Sequence, residues 1–158
     1  MKRLIAVICV ISALCILFTA CSSDGGSKAS KSLSDIYDEI KSEVTLPDMV
    51  ELSSADRLDR NYGITEDMAE EFAGGIDSSG VTMTEIVLIK AKDSDSAAQI
   101  ETKLNNRLSA KLDQNRNYNP EQAEIIEKCE VKTYGMYVTL IISEDAEKIT
   151  GIVEKYLK

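Results

Sequence analysis

The chain has 158 residues, 18 Lys and Arg against 27 Asp and Glu, a net charge of −9, and no histidine or tryptophan. Without imidazole, the chain cannot by itself build a Ser-His or Cys-His hydrolytic centre, an imidazole zinc site or an HExxH protease. The acidic excess argues against nucleic acid as a partner, and the length suits one domain with one core.

Lys2 and Arg3 precede an uncharged run from Leu4 to Ala20, and the first acidic residue is Asp24. A basic start, an apolar stretch and a small residue before a cut describe a secretory signal over residues 1–20. An uncleaved anchor is the alternative, but the run contains Ser12 and Thr19, is barely long enough to span a bilayer, and has no basic flank directly after it. Phe18, Thr19 and Ala20 before Cys21 resemble a lipobox, with Phe18 in the place usually held by leucine. The expected lipid attachment is Cys21, which would tie the domain to the lipid bilayer through its acyl chains, each buried methylene adding about 0.8 kcal/mol. Residues 21–31 continue as a Ser, Gly and Lys leash. Residues 21–158 keep 16 basic and 27 acidic side chains, a net charge of −11.

The single α+β domain is expected over residues 32–158. Leu33, Ile36, Tyr37, Ile40 and Val44 share one helical face, ending before Pro47. "SSADRLDRNYG" predicts a short helix with Ser53 and Asp56 at capping-box spacing. Thr65 then caps a third predicted helix, "EDMAEEFA", in which Met68 and Phe72 share a face and Gly74 and Gly75 mark the end. The N-terminal part, residues 32–75, is thus expected to be small helices.

Residues 82–158 read as β-α-α-β-β-α. "VTMTEIVLIKAK" has no polar face across Ile86 to Ile89, as in a strand covered on both sides. A long helix is predicted over 94–115 with Ala97, Ile100, Leu104, Leu108 and Leu112 inward. Asn119, Pro120 and Gln122 form a start signal for a shorter helix. "EVKTYGMYVTLIIS" reads as a hairpin turning at Gly135, with an outer first strand and a central second one. Ser143 caps the last predicted helix, inside which Gly151 suggests close packing against the sheet. A strand, a helical crossover and a hairpin give a three-stranded antiparallel sheet of split β-α-β type, order 1-3-2, covered by helices.

No Walker loop, GxGxxG, GxSxG or S-x-x-K occurs, and no cysteine spacing fits zinc. No cofactor, catalytic residue or metal ligand is expected. Asp93 and Asp95 read as helix-start residues rather than calcium ligands, and Asp56 and Asp59 as solvated helix surface. Cys129 reads as a small buried thiol. Tyr37, Tyr137 and Tyr156 fall at packing positions, whereas Tyr62, Tyr118 and Tyr134 lie near turns, where a ring lies across a neighbouring helix or stacks on a sugar or peptide.

From "MTEIVLIKAKD" through "NYNPEQAEIIE" to "VKTYGMYVTLIISEDAEKI", with "YGI" at Tyr62 to Ile64, residues 34–158 resemble the domain of unknown function 4358 family of Gram-positive bacterial lipoproteins. The resemblance implies export and lipidation at the outer face of the cytoplasmic membrane, and it brings no activity or ligand. The function expected is a membrane-tethered binding domain for a protein or envelope component, not an enzyme. The alternatives are a carboxylate-dependent enzyme acting on cell-wall glycan and, last, a small-solute receptor, for which the domain is too short to form two lobes.

Overall fold

A computed structural model of the chain describes residues 30–158. The export signal and Cys21 lie outside the described residues. The elements in order are α1 (Leu33–Glu43), β1 (Met49–Glu51), α2 (Ala55–Tyr62), β2 (Ala69–Asp77), β3 (Glu85–Ala91), α3 (Ser94–Tyr118), α4 (Pro120–Glu127), β4 (Val131–Tyr134), β5 (Tyr137–Ile142) and α5 (Ala146–Leu157).

The α+β class holds, but the sheet has five strands, all antiparallel, in the order β1-β2-β3-β5-β4. The three strands expected from the sequence occupy one side of it as β3-β5-β4, with the last in the middle. The additional strands come from the part read as helical. Residues 69–77 are strand β2, paired along β3 from Ala69↔Ala91 to Ile76↔Glu85 with a bulge between Ala69 and Glu71. Met68 and Phe72 sit four apart and the segment is rich in Ala and Glu, so local propensity mimics a helix. Pairing with the buried strand β3 overrides it.

Helices cover both faces. On one, α2, α3 and α4 pack on Val87, Ile89, Val138, Leu140 and Ile142. On the other, α1 and α5 pack on Ile86, Leu88, Tyr137 and Ile141. Residues 86–89 are fully buried because neighbouring side chains enter opposite cores.

The starts of helices follow the sequence closely. Ser32 accepts from the Asp35 amide, Asp93 from Ser96 and Asn119 from Gln122. For α2 the cap is Ser54 rather than Ser53, its side chain accepting from the Arg57 amide. At α5 the boundary residue is Asp145, and Ser143 Oγ accepts from the Asp145 amide instead of from within the helix. Gly135 opens the β4–β5 turn at φ 59°, and Met136 has no positive φ, the pattern of a type II′ hairpin with glycine first. Helix α3 runs three residues beyond its predicted end, to Tyr118, which is 88% exposed.

The leash enters the domain beside α1 and α5. Lys31 Nζ pairs with Glu39 at 2.6 Å and lies 4.6 Å from the centre of the Tyr156 ring, while Tyr156 donates to Glu39 at 2.7 Å.

Candidate functional site

Strand β4 ends the sheet among the described residues, and α5 lies over its neighbour β5 instead of over β4 itself. A groove of about 350 Å³ opens between the two. Ile141 contributes to it from β5, Thr150, Gly151 and Glu154 from α5, and Glu130 and Lys132 from the β4 side. A second cleft of about 500 Å³ shares Lys128, Cys129, Ala146 and Glu147 with it and carries the groove around the first turn of α5.

The groove is polar-rimmed with an apolar floor. Lys132 Nζ lies 3.1 Å from Glu130 and 3.7 Å from Glu154. Glu154 also accepts from Tyr134 Oη at 3.0 Å and pairs with Lys158 at 2.6 Å. Lys158 and then the Tyr134 hydroxyl hold the Glu154 carboxyl below its ordinary range. Burial and the adjoining Glu154 carboxylate push the Tyr134 hydroxyl up. Along the same rim Glu144, Asp145 and Glu147 are exposed and make no ion pair among the described residues.

Gly151 does not pack closely on the sheet, contrary to the sequence expectation. It is exposed on the groove side of α5, and a Cβ there would meet no atom within 4 Å. Glycine inside a helix costs about 0.5–1 kcal/mol relative to alanine, and no intramolecular contact requires it here. Gly151→Ala is therefore expected to raise the unfolding free energy by about 0.5–1 kcal/mol, read as a higher urea midpoint with an unchanged slope.

Cys129, half-buried at the junction of the two clefts, donates its Sγ hydrogen to the Ile125 carbonyl at 3.2 Å. Burial pushes the thiol pKa up, so it stays protonated at neutral pH, which fits the packing role expected of it.

A second polar cluster lies inside the other core. Glu85 is fully buried, yet it accepts from Arg107 Nε at 3.1 Å and Nη2 at 3.0 Å and pairs with Lys111 at 2.6 Å. Lys111 also donates to the Met83 carbonyl, and the Arg107 guanidinium sits 5.7 Å from the Tyr62 ring centre. Burial alone would raise the Glu85 pKa; the Arg107 hydrogen bonds and the Lys111 charge outweigh it and hold the carboxyl below its ordinary value. The Tyr62 hydroxyl is buried with no hydrogen-bond partner among the described residues, and burial together with the Glu85 charge pushes it up.

The other residues singled out in the sequence do not converge. Asp56 pairs with Arg60 on the surface of α2, and Asp93 is a helix cap. Of the turn tyrosines, Tyr62 is core, Tyr134 belongs to the groove wall and Tyr118 stands in solvent at the tip of α3. No group of three or more Cys, Asp or Glu side chains among the described residues could hold a metal ion. No helix among them is long and apolar enough to cross a membrane.

A family model described as Domain of unknown function (DUF4358) matches residues 42–143, from the end of α1 to the turn before α5. No curated protein and no solved structure matches the chain.

Proposed function

The chain belongs to the domain of unknown function 4358 family, and from its own residues we propose that it is a non-enzymatic binding domain for a protein or envelope component. Acylated Cys21 would hold it at the outer face of the bacterial cytoplasmic membrane. The observation that carries the binding role is the groove beside β4, where a helix glycine without an internal packing reason faces open space.

Carboxylate chemistry on glycans is the weaker reading. A glycosidase needs one carboxyl whose pKa is raised so that it can donate a proton. The described carboxyls with a displaced pKa, Glu39, Asp67, Asp77, Glu85, Asp93 and Glu154, are all displaced downward. Such groups are fixed anions already engaged within the chain, not proton donors.

The anchor is tested by Cys21→Ser, which is expected to remove the acyl mass from the amino terminus and move the protein from the membrane to the soluble extracytoplasmic fraction. An unmodified amino terminus in the parent chain would end the anchoring proposal. The binding role is tested with a photo-reactive residue at Thr150, in the groove, and at exposed Asn106 on α3 as control. One reproducible adduct from Thr150 and none from Asn106 is expected; equal or absent adducts at both sites would reject the groove.

A further inference from the structure

We propose that the occupant of the groove is an extended, cationic segment of a partner polypeptide, added as a sixth strand to the free edge of β4; this rests on the binding reading above. The hydrogen-bond register supplies the first argument. In a two-residue hairpin the flanking pair, Tyr134 and Tyr137, exchange backbone bonds, and so does Lys132 with Thr139 two residues on. The alternation leaves Val131 and Thr133 directing N–H and C=O away from the sheet. No strand meets them among the described residues. No proline protects Val131–Tyr134, and main-chain bonding to such an edge is the ordinary way an extended peptide is captured.

Charge selects the peptide. Five carboxylates line the two clefts at Glu130, Glu144, Asp145, Glu147 and Glu154, against three lysines at 128, 132 and 148. Lys132 is already engaged by Glu130 and Glu154, and Lys148 donates to the Glu43 carbonyl. Only Lys128 is then left to face Glu144, Asp145 and Glu147, so the rim keeps a net negative charge, on a chain whose residues 21–158 carry −11. Alternate side chains of an added strand face the groove, so lysine or arginine at every second position would meet these acids. The absent Cβ at Gly151 leaves room for their stems.

The probe is a fluorophore-labelled octapeptide of alternating lysine and valine, titrated against the full chain in uncharged detergent micelles and followed by anisotropy. Saturable binding is expected, at least tenfold weaker in Thr133→Pro, which removes an outward N–H where proline is tolerated, and in Gly151→Tyr, which fills the groove. The same peptide with proline in place of valine keeps its charge but loses half its amide donors, and should bind at least tenfold more weakly. Melting temperatures of both variants are measured alongside. If Thr133→Pro does not fold, Gly151→Tyr and the proline peptide still decide the matter. Equal binding of the proline peptide, parent-like affinity in a folded variant, or no saturation up to about 1 mM overturns the inference. The Thr150 adduct does not depend on the partner's charge or conformation, so its presence without peptide binding would overturn this inference alone.

Discussion

Glu85→Ala is expected to lower the unfolding free energy by about 3–5 kcal/mol, the cost of breaking a buried ion pair from one side. The loss exceeds that of an ordinary surface bridge because Glu85 is fully buried and satisfies two cations. Its removal leaves Arg107 and Lys111 against the core without a counter-charge, beside the unpartnered Tyr62 hydroxyl. Urea denaturation at pH 7 measures the loss. A triple variant with Glu85→Leu, Arg107→Met and Lys111→Met separates orphaned charge from lost packing. It should recover most of the stability, since replacing buried Glu85 together with its two partly buried partners by apolar groups leaves no orphaned charge.

The pH dependence follows from the same cluster. The folded Glu85 pKa lies below the ordinary value of 4.5, so its contribution is complete above about pH 4.5 and fades as pH falls through the folded pKa. The gap between parent and Glu85→Ala chains should therefore be widest near neutrality and narrow in acid. A gap that widened in acid would mean that the carboxyl is neutral in the folded protein.

What could be read in advance divides along the range of the interaction. Strands β3 and β5 were legible because a run such as Ile86–Ile89 has no polar face in either period, and burial on both sides is the one environment that accepts it. Helix caps at Asp93 and Asn119 were legible because a side chain and an amide three residues on settle them. Strand β2 was not, since "AEEFA" favours a helix locally and its fate is set by β3, over a loop away. The Glu85–Arg107 bond joins residues 22 apart on a strand and a helix, so nothing in either neighbourhood reveals it. The groove was equally hidden: it exists because α5 lies over β5 and reaches β4 through Glu154, a matter of helix placement that periodicity does not carry. Gly151 stands out in the sequence for its cost in a helix, but the space beside it opens to solvent and not to the sheet.

The glycines read as the end of a helix have the second large effect. Gly74→Ala should destabilise the fold by about 2–6 kcal/mol, combining roughly 1–3 for a strained backbone with 1–3 for overpacking. Gly74 has φ 138°, which side-chain-bearing residues rarely adopt, and a Cβ there would stand 1.9 Å from the Ile86 carbonyl oxygen and 2.8 Å from its carbon. Those are backbone atoms of the central strand and cannot rotate aside, so β2 would have to leave β3 or shift its register. Gly75→Ala offers the contrast. Its φ is not positive, and its Cβ would meet the Tyr37 hydroxyl at 2.6 Å and Met49 Cβ at 3.2 Å. That hydroxyl is buried without a hydrogen-bond partner among the described residues, so Tyr37→Phe costs little and opens the space. Denaturation of the single and double variants should show Tyr37→Phe relieving Gly75→Ala by more than additivity allows and leaving Gly74→Ala unrelieved, because the shortest contact at Gly75 is with a side chain, ahead of the Val50 carbonyl at 3.3 Å, and that at Gly74 is with backbone.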